Sequence, residues 1–144
     1  MLVMLPPPTI NLESNEAVAA EIDAALKHWN ERQVGPLNTE HIALTIRDEN
    51  GELLAGLVAE MFWTFLYVAD LWVKDDHQRR GYGTALLNHV EAIARARPCH
   101  VSFLSTMAFQ APKFYEKCGY TAFGELPHAP HPLGRTWFAK RLTV

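Results

Sequence analysis

Two segments of the chain hold residues whose types and spacing suit chemistry. The first is Leu71-Trp72-Val73-Lys74-Asp75-Asp76-His77-Gln78-Arg79-Arg80-Gly81-Tyr82-Gly83-Thr84. An apolar strand runs into a basic loop with two glycines, and an amphipathic helix begins at once. The first turn of a helix has N–H groups without intrahelical partners, and its dipole adds partial positive charge there. Gly81 and Gly83 lack a Cβ, so the main chain can turn sharply and a phosphate can close onto those amides. Arg79 and Arg80 add two permanent charges suited to forked phosphate contacts. A ligand bearing a diphosphate is the expectation.

The loop lacks the glycine, lysine and hydroxyl spacing of a P-loop. It also lacks the three-glycine dinucleotide fingerprint with its later acidic residue. An ordinary strand-to-helix turn has the same local look, so the loop needs support from the second segment. That segment is Phe114-Tyr115-Glu116-Lys117-Cys118-Gly119-Tyr120, the aromatic end of a short helix.

The secondary structure around these two segments reads as an α/β pattern. Thr9–Leu12 suggests a short opening strand after a disordered or extended lead over residues 1–8 that contains Pro6, Pro7 and Pro8. Ser14 can cap a helix from about Asn15 to Arg32, with Val18, Ile22, Ala25, Leu26 and Trp29 on one face; Gly35-Pro36 ends it. His41–Arg47 alternates as a half-buried strand, and Asp48 to Glu52, with Asn50-Gly51 at its centre, marks a hairpin. Leu53–Phe62 and Phe65–Val73 follow, tightly joined near Thr64. A helix over Thr84–Arg97 stops before Pro98. Val101–Ser105 should lie parallel to Phe65–Val73, since a helix connects them. A short helix near Gln110–Cys118 has Pro112 in its first turn and Gly119 as its C-terminal cap. Tyr120–Phe123 and Trp137–Leu142 close the sheet around a loop with Pro127, Pro130 and Pro132. The expected fold is α/β, with a mixed sheet of six or seven strands and helices on both faces.

With 144 residues, one domain spanning residues 1–144 is expected. A net charge of −3, with no basic run beyond the Gln-Arg-Arg loop, argues against a nucleic-acid binder and mildly favours a cationic amine. Cys99 and Cys118 have no metal-type spacing, so free thiols in a reducing cytosol are the default. The segment Met1–Leu5 has no cationic start and is too short for a signal peptide or anchor. The apolar run Met61–Val73 is too short to span a bilayer as a helix. A cytoplasmic protein without membrane or nucleic-acid partners is expected.

The element order, with both motifs about thirty residues apart, resembles the GNAT superfamily of N-acetyltransferases from roughly Thr9 to Leu142. The Leu-Trp-Val before the loop adds a likeness to small bacterial members. The resemblance implies acetyl-CoA as co-substrate and direct transfer to an amine of a small molecule, peptide or protein. It implies that strands Phe65–Val73 and Val101–Ser105 splay apart at their C-terminal ends. The main chain of Leu71, Trp72 and Val73 would then hold the pantetheine arm, and Gln78, Arg79, Arg80, Gly81, Tyr82, Gly83 and Thr84 the pyrophosphate. Tyr115 matches the tyrosine beside the cofactor sulfur; core packing is its plainer reading. Many members carry Asn where this chain has Ala108, and Gln110 or Thr106 would have to compensate. Leu133-Gly134-Arg135 replaces a Pro-Gly-His, so the resemblance by itself does not carry a substrate-binding role over to that loop.

An attacking amine needs a proton acceptor. Asp70 is a charged residue within an apolar run, which suggests either a base or a strand-end carboxylate. Glu60 and Glu125 are lesser candidates. Trp63, Tyr67, Trp72 and Trp137 suit either an acceptor pocket or the core. His128 and His131 lie among prolines with no third ligand, so a substrate-side loop is favoured over a metal. A homodimer is left open. The alternative function is a non-catalytic acyl-CoA-binding or regulatory module.

Overall fold

A computed structural model describes residues 3–143, in two compact units that divide between Leu37 and Asn38. In the first unit, α1 spans Glu16–Val34. Its cap is Asn15, one residue later than expected: the Asn15 side chain accepts the Val18 N–H at 2.9 Å. Gly35, at φ +92°, ends the helix, and its N–H returns to the Glu31 carbonyl. No α1 residue is buried, and Ile22, Leu26 and Trp29 are exposed. The expected strand at Thr9–Leu12 is absent. Ile10 and Leu12 are almost fully exposed, and the proline run before them supplies no N–H groups for a ladder.

In the second unit a six-stranded sheet has the order β1-β2-β3-β4-β6-β5. Its strands are β1 (Glu40–Arg47), β2 (Leu53–Phe62), β3 (Phe65–Val73), β4 (Val101–Met107), β5 (Thr121–Pro127) and β6 (Gly134–Arg141). The β1–β2 turn forms where Asn50-Gly51 marks it. The Asp48 carboxylate accepts the N–H groups of Asn50 and Glu52, each at 2.9 Å, and Gly51 takes φ +82°. Helix α2 (Tyr82–Ala96) joins β3 to β4, which run parallel. Helix α3 (Pro112–Lys117) is shorter than the sequence suggests. Proline keeps the preceding Ala111 out of the helical region, at φ −144°. Strands β4, β5 and β6 extend into their loops, because β5 and β6 pair as one long hairpin.

Alternation puts Ala55, Leu57, Ala59 and Met61 of β2 on one face, where they join Leu66, Val68, Leu104 and Phe138. Leu86, Leu87, Val90 and Ala94 of α2 complete this core, and Tyr115 of α3 enters its edge. The other face of β1–β3 is largely open, with Val58 and Trp72 about half exposed.

A polar cluster is sealed into the core side. Glu91 is 1% exposed, and its carboxylate meets Lys140 Nζ at 2.7 Å and Arg95 at 3.5 Å. The Tyr120 hydroxyl lies 3.3 Å from Glu91 and 2.7 Å from Ser102 Oγ. Lys140 also donates to the Cys118 carbonyl at 2.8 Å, which ties the end of α3 to β6 and α2. Such a buried carboxylate is tolerable only while paired. Lys140→Met should therefore lower unfolding stability by about 3 kcal/mol in urea, and Glu91→Leu with Lys140→Met should recover most of that loss.

Candidate active site

After β3 the chain makes a single 3-10 turn at Asp75–His77 and enters the glycine loop. Arg79 and Gly81 both take positive φ, +63° and +85°. This turns the main chain so that α2 starts at Tyr82 with Gly81 as its cap. Among the described residues, no main-chain N–H from residue 79 to 84 donates to a protein group. Arg79, Arg80 and Gly81 are exposed. A row of unpaired amides, a helix start and two guanidinium groups thus share one accessible loop, with the character of an anion cradle.

The two glycines differ in what they do. A Cβ on Gly81 would meet nothing within 4 Å, so its requirement is the left-handed backbone. A Cβ on Gly83 would come 3.1 Å from the Phe114 ring. Gly83 is therefore needed for the close packing of α3 on α2. The expectation that both positions are bare to admit a phosphate is corrected for Gly83: an aromatic ring occupies that side.

Side chains brace the loop from below. Gln78 Nε2 donates to the Val73 carbonyl at 3.3 Å, the His77 ring stacks on Tyr82, and the Thr84 hydroxyl bonds to the Cys118 thiol. Burial pushes the Cys118 thiol up, and that bond partly opposes it.

Strands β3 and β4 pair only at Phe65–Val101, Leu66–Ser102 and Tyr67–Phe103. Beyond these they part. Residues 68–73 keep β2 on one side, residues 104–107 keep β6, and the edges between them lack strand partners. A bulge marks the parting: Val58 pairs with Asp70 but Ala59 with Val68, leaving Ala69 unpaired. Leu71 and Val73 turn toward the core, whereas Asp70 and Trp72 turn to the open face. This splay is the one the sequence resemblance implies.

Tyr115 is 8% exposed, packed against Phe114, Tyr120 and Phe138. Burial pushes its phenol up to about 12, with the neighbouring Cys118 thiol adding to the effect. Unlike the Tyr120 hydroxyl, that of Tyr115 bonds to no group among the described residues, yet it is not sealed from solvent. A buried ring with an unpaired, reachable hydroxyl suits a donor to a bound group better than core packing alone.

Asp70 is exposed, so no cost of burial attends its charge. Glu60 lies on the same open face, opposite Tyr67 and 3.4 Å from His41. Glu125 pairs with Thr136 on β6 and is exposed. Gln110 folds back: its carbonyl oxygen accepts the Met107 N–H at 2.6 Å and the Thr106 hydroxyl at 3.2 Å. It closes the turn after β4, at the position where the resemblance implies a cofactor contact. Tyr67 stacks on Phe103, and Trp137 lies under the Arg135 guanidinium. Trp63 joins Phe62 at the β2–β3 turn. His128 and His131 face each other at 3.2 Å, and no group of three metal-ligating side chains occurs among the described residues.

Sequence reasoning missed Glu91, Lys140 and Ser102, which hold α3 from beneath. Glu91, lying between Val90 and Ala94 of the buried helix stripe, was the available signal.

The Acetyltransferase (GNAT) family model matches residues 9–120. The chain belongs to the GNAT family. It is 40% identical to the blasticidin-S acetyltransferase of Streptomyces morookaense over 83 residues, which span 57% of this chain and 61% of that protein. An acetyltransferase from Bacillus cereus superposes with a TM-score of 0.87 at 26% identity, covering 92% of this chain and 97% of that one. An aminoglycoside 6′-N-acetyltransferase complexed with coenzyme A superposes with a TM-score of 0.65 at 21% identity, covering 90% and 82%. No helix among the described residues is long and apolar enough to cross a membrane.

Two outcomes are expected for this GNAT domain. Gly83→Val should displace Phe114 and cost about 1–3 kcal/mol, measured by chemical denaturation. The folded-state values of Tyr115 and Tyr120 are raised above their unfolded ones, so their contribution is full below about pH 10. It fades as pH climbs toward 12. The denaturation midpoint should fall over that interval, and less steeply in Tyr115→Phe.

Proposed function

We propose that this protein is an acetyl-CoA-dependent N-acetyltransferase that transfers the acetyl group directly to an amine. The observation carrying the reading is a coincidence of two features at one end of the sheet. Unpaired amides of residues 79–84 surround the start of α2, and the parted edges of β3 and β4 open beside it. A diphosphate with an extended amide-bearing arm has matching chemistry: anionic oxygens for the loop and peptide-like groups for a strand edge. Coenzyme A in the aminoglycoside acetyltransferase of the same fold supports the choice. The acetyltransferase name of the Streptomyces relative supports an enzyme.

Bound there, acetyl-CoA supplies an acetyl group activated as a thioester. The loop Gln78–Thr84 binds the pyrophosphate, with Arg79 and Arg80 adding charge. The main chain of Leu71, Trp72 and Val73 holds the arm, and an N–H on the free β3 edge donates to the carbonyl oxygen that gains charge as the amine attacks. Asp70, beside the bulge on the open face, takes the proton lost by the amine, directly or through water. Holding both reactants side by side supplies much of the rate.

Tyr115 donates its hydroxyl hydrogen bond to the departing sulfur. Full proton transfer from a phenol at about 12 to a thiolate whose conjugate acid is near 8.5 would be uphill by roughly 5 kcal/mol. Stabilisation of the thiolate by a hydrogen bond is thus the larger part of its role. Gln110 is committed to the β4 turn through its carbonyl and offers only its amide N–H groups to the cofactor.

Calorimetry with acetyl-CoA and thiol release across an amine panel test the reading. Tight binding with amine-dependent release supports it; binding with no release for any amine favours a non-catalytic acyl-CoA module. Gly81→Val should weaken acetyl-CoA about tenfold or more, because valine does not tolerate φ +85°. Tyr115→Phe should lower kcat by about 10- to 100-fold with KM changed less than about threefold. Between pH 6 and 9 the wild-type rate should show no descending limb from this phenol.

A further inference from the structure

A second recognition feature stands on the arm of the sheet across the splay from Asp70. Arg135 and Trp137 lie on β6, opposite Met107 and Ser105 of β4. Thr106 and Leu104, which alternate with those partners, are buried on the core side. Arg135 and Trp137 therefore project to the opposite, open face. Asp70, Glu60 and Tyr67 share that face on β2 and β3, and Tyr67 stacks on Phe103 of β4 across the last paired rung.

Met107, Leu126, Ala129, Pro130, Arg135 and Trp137 line an open pocket of about 490 Å³ here, with room for one face of a small molecule. Its walls are apolar apart from one cation. The Arg135 guanidinium lies 5.9 Å from the centre of the Trp137 ring and 3.4 Å from Ser105 Oγ. Among the described residues it forms no ion pair. Glu125, the nearest acidic residue in sequence, faces the other way, since it pairs with Thr136 rather than Arg135.

A half-buried guanidinium braced on an indole, without a carboxylate partner, at the wall of an apolar pocket is suited to an anionic group on an apolar ligand. The carboxylates lie on the other arm, where an amine must lose its proton. We infer that the acceptor is a small amine carrying a carboxylate on an apolar or aromatic body. Arg135 binds the carboxylate, and Trp137 with Leu126 and Met107 packs the body. This places the amino end toward Asp70. The inference rests on the acetyl-transfer reading for its chemistry, although the anion site itself can be tested without turnover.

The binding arm uses 3-phenylpropionate, an unreactive acid, against 3-phenylpropanamide, by calorimetry on the full chain. The wild type should bind the acid at least tenfold more tightly than the amide, and Arg135→Gln should abolish that difference. Equal binding of acid and amide, or a preference that persists in Arg135→Gln, overturns the proposal. The turnover arm compares kcat/KM for aromatic amino acids and their carboxamides with acetyl-CoA. The acids should be favoured at least tenfold in the wild type and not in Arg135→Gln. A uniform drop for both would mark a merely structural residue and also overturns it. Unchanged acetyl-CoA affinity in the variant separates this outcome from failure of the cofactor site. A wild type with no acetyl-CoA affinity would instead refute the acetyl-transfer reading, leaving the 3-phenylpropionate result to decide the anion site.

Discussion

Strand β3 leaves β4 after the Tyr67–Phe103 rung, and that parting sets the geometry of this end of the sheet. Two parallel strands joined by a helix ordinarily pair along their length, and doing so would satisfy every edge group. Here the Ala69 bulge bends β3 away while β2 keeps its other side paired. The parted edges retain main-chain donors and acceptors that an extended ligand can use. The same geometry delivers the chain from Val73 into the loop whose amides open at the start of α2. A free strand edge and a loop of unpaired amides thus become neighbours through one short connection.

That opening has to be held rigidly, because nothing in the ladder fixes its width. The apolar stripe of α2 fixes one wall on β2 and β3. Beside α2 packs α3, a helix too short to be stable alone. Phe114 against Gly83, the Thr84–Cys118 contact and Lys140 on the Cys118 carbonyl fasten it to α2 and β6. Glu91 is the hub of this fastening. Its burial is costly in isolation and becomes tolerable only with Lys140, Arg95 and Tyr120 in place. Two tyrosines five residues apart consequently have different duties: Tyr120 is tied into the polar cluster, whereas Tyr115 keeps its hydroxyl unbonded.

Much of this was legible in the residues. The Asn50-Gly51 turn, the β2 and β3 limits and the glycine loop follow from backbone preferences that act over a few positions. Such preferences survive tertiary context. The Thr9–Leu12 strand did not form, because a short alternation predicts a strand only if a partner edge is available. Ser14 and Asn15 can both cap α1, and only geometry chooses between them. Gly83 looks bare for a ligand in the sequence, because its neighbour Phe114 lies thirty-one residues away and meets it only in the fold. Asp70 stands out as a charge in an apolar run, and only the bulge and the open face of the fold show that it is exposed. The Glu91–Lys140 pair was missed for the same reason in reverse, since a lone glutamate on a helix usually faces water.

The loop amides can be watched individually. Coenzyme A added to the 15N-labelled chain should move the backbone N–H resonances of residues 79–84 most and slow their exchange with solvent. Those of the free β3 edge at 71–73 should follow. Saturating coenzyme A that leaves residues 79–84 unmoved, or perturbs a different surface instead, would contradict the account.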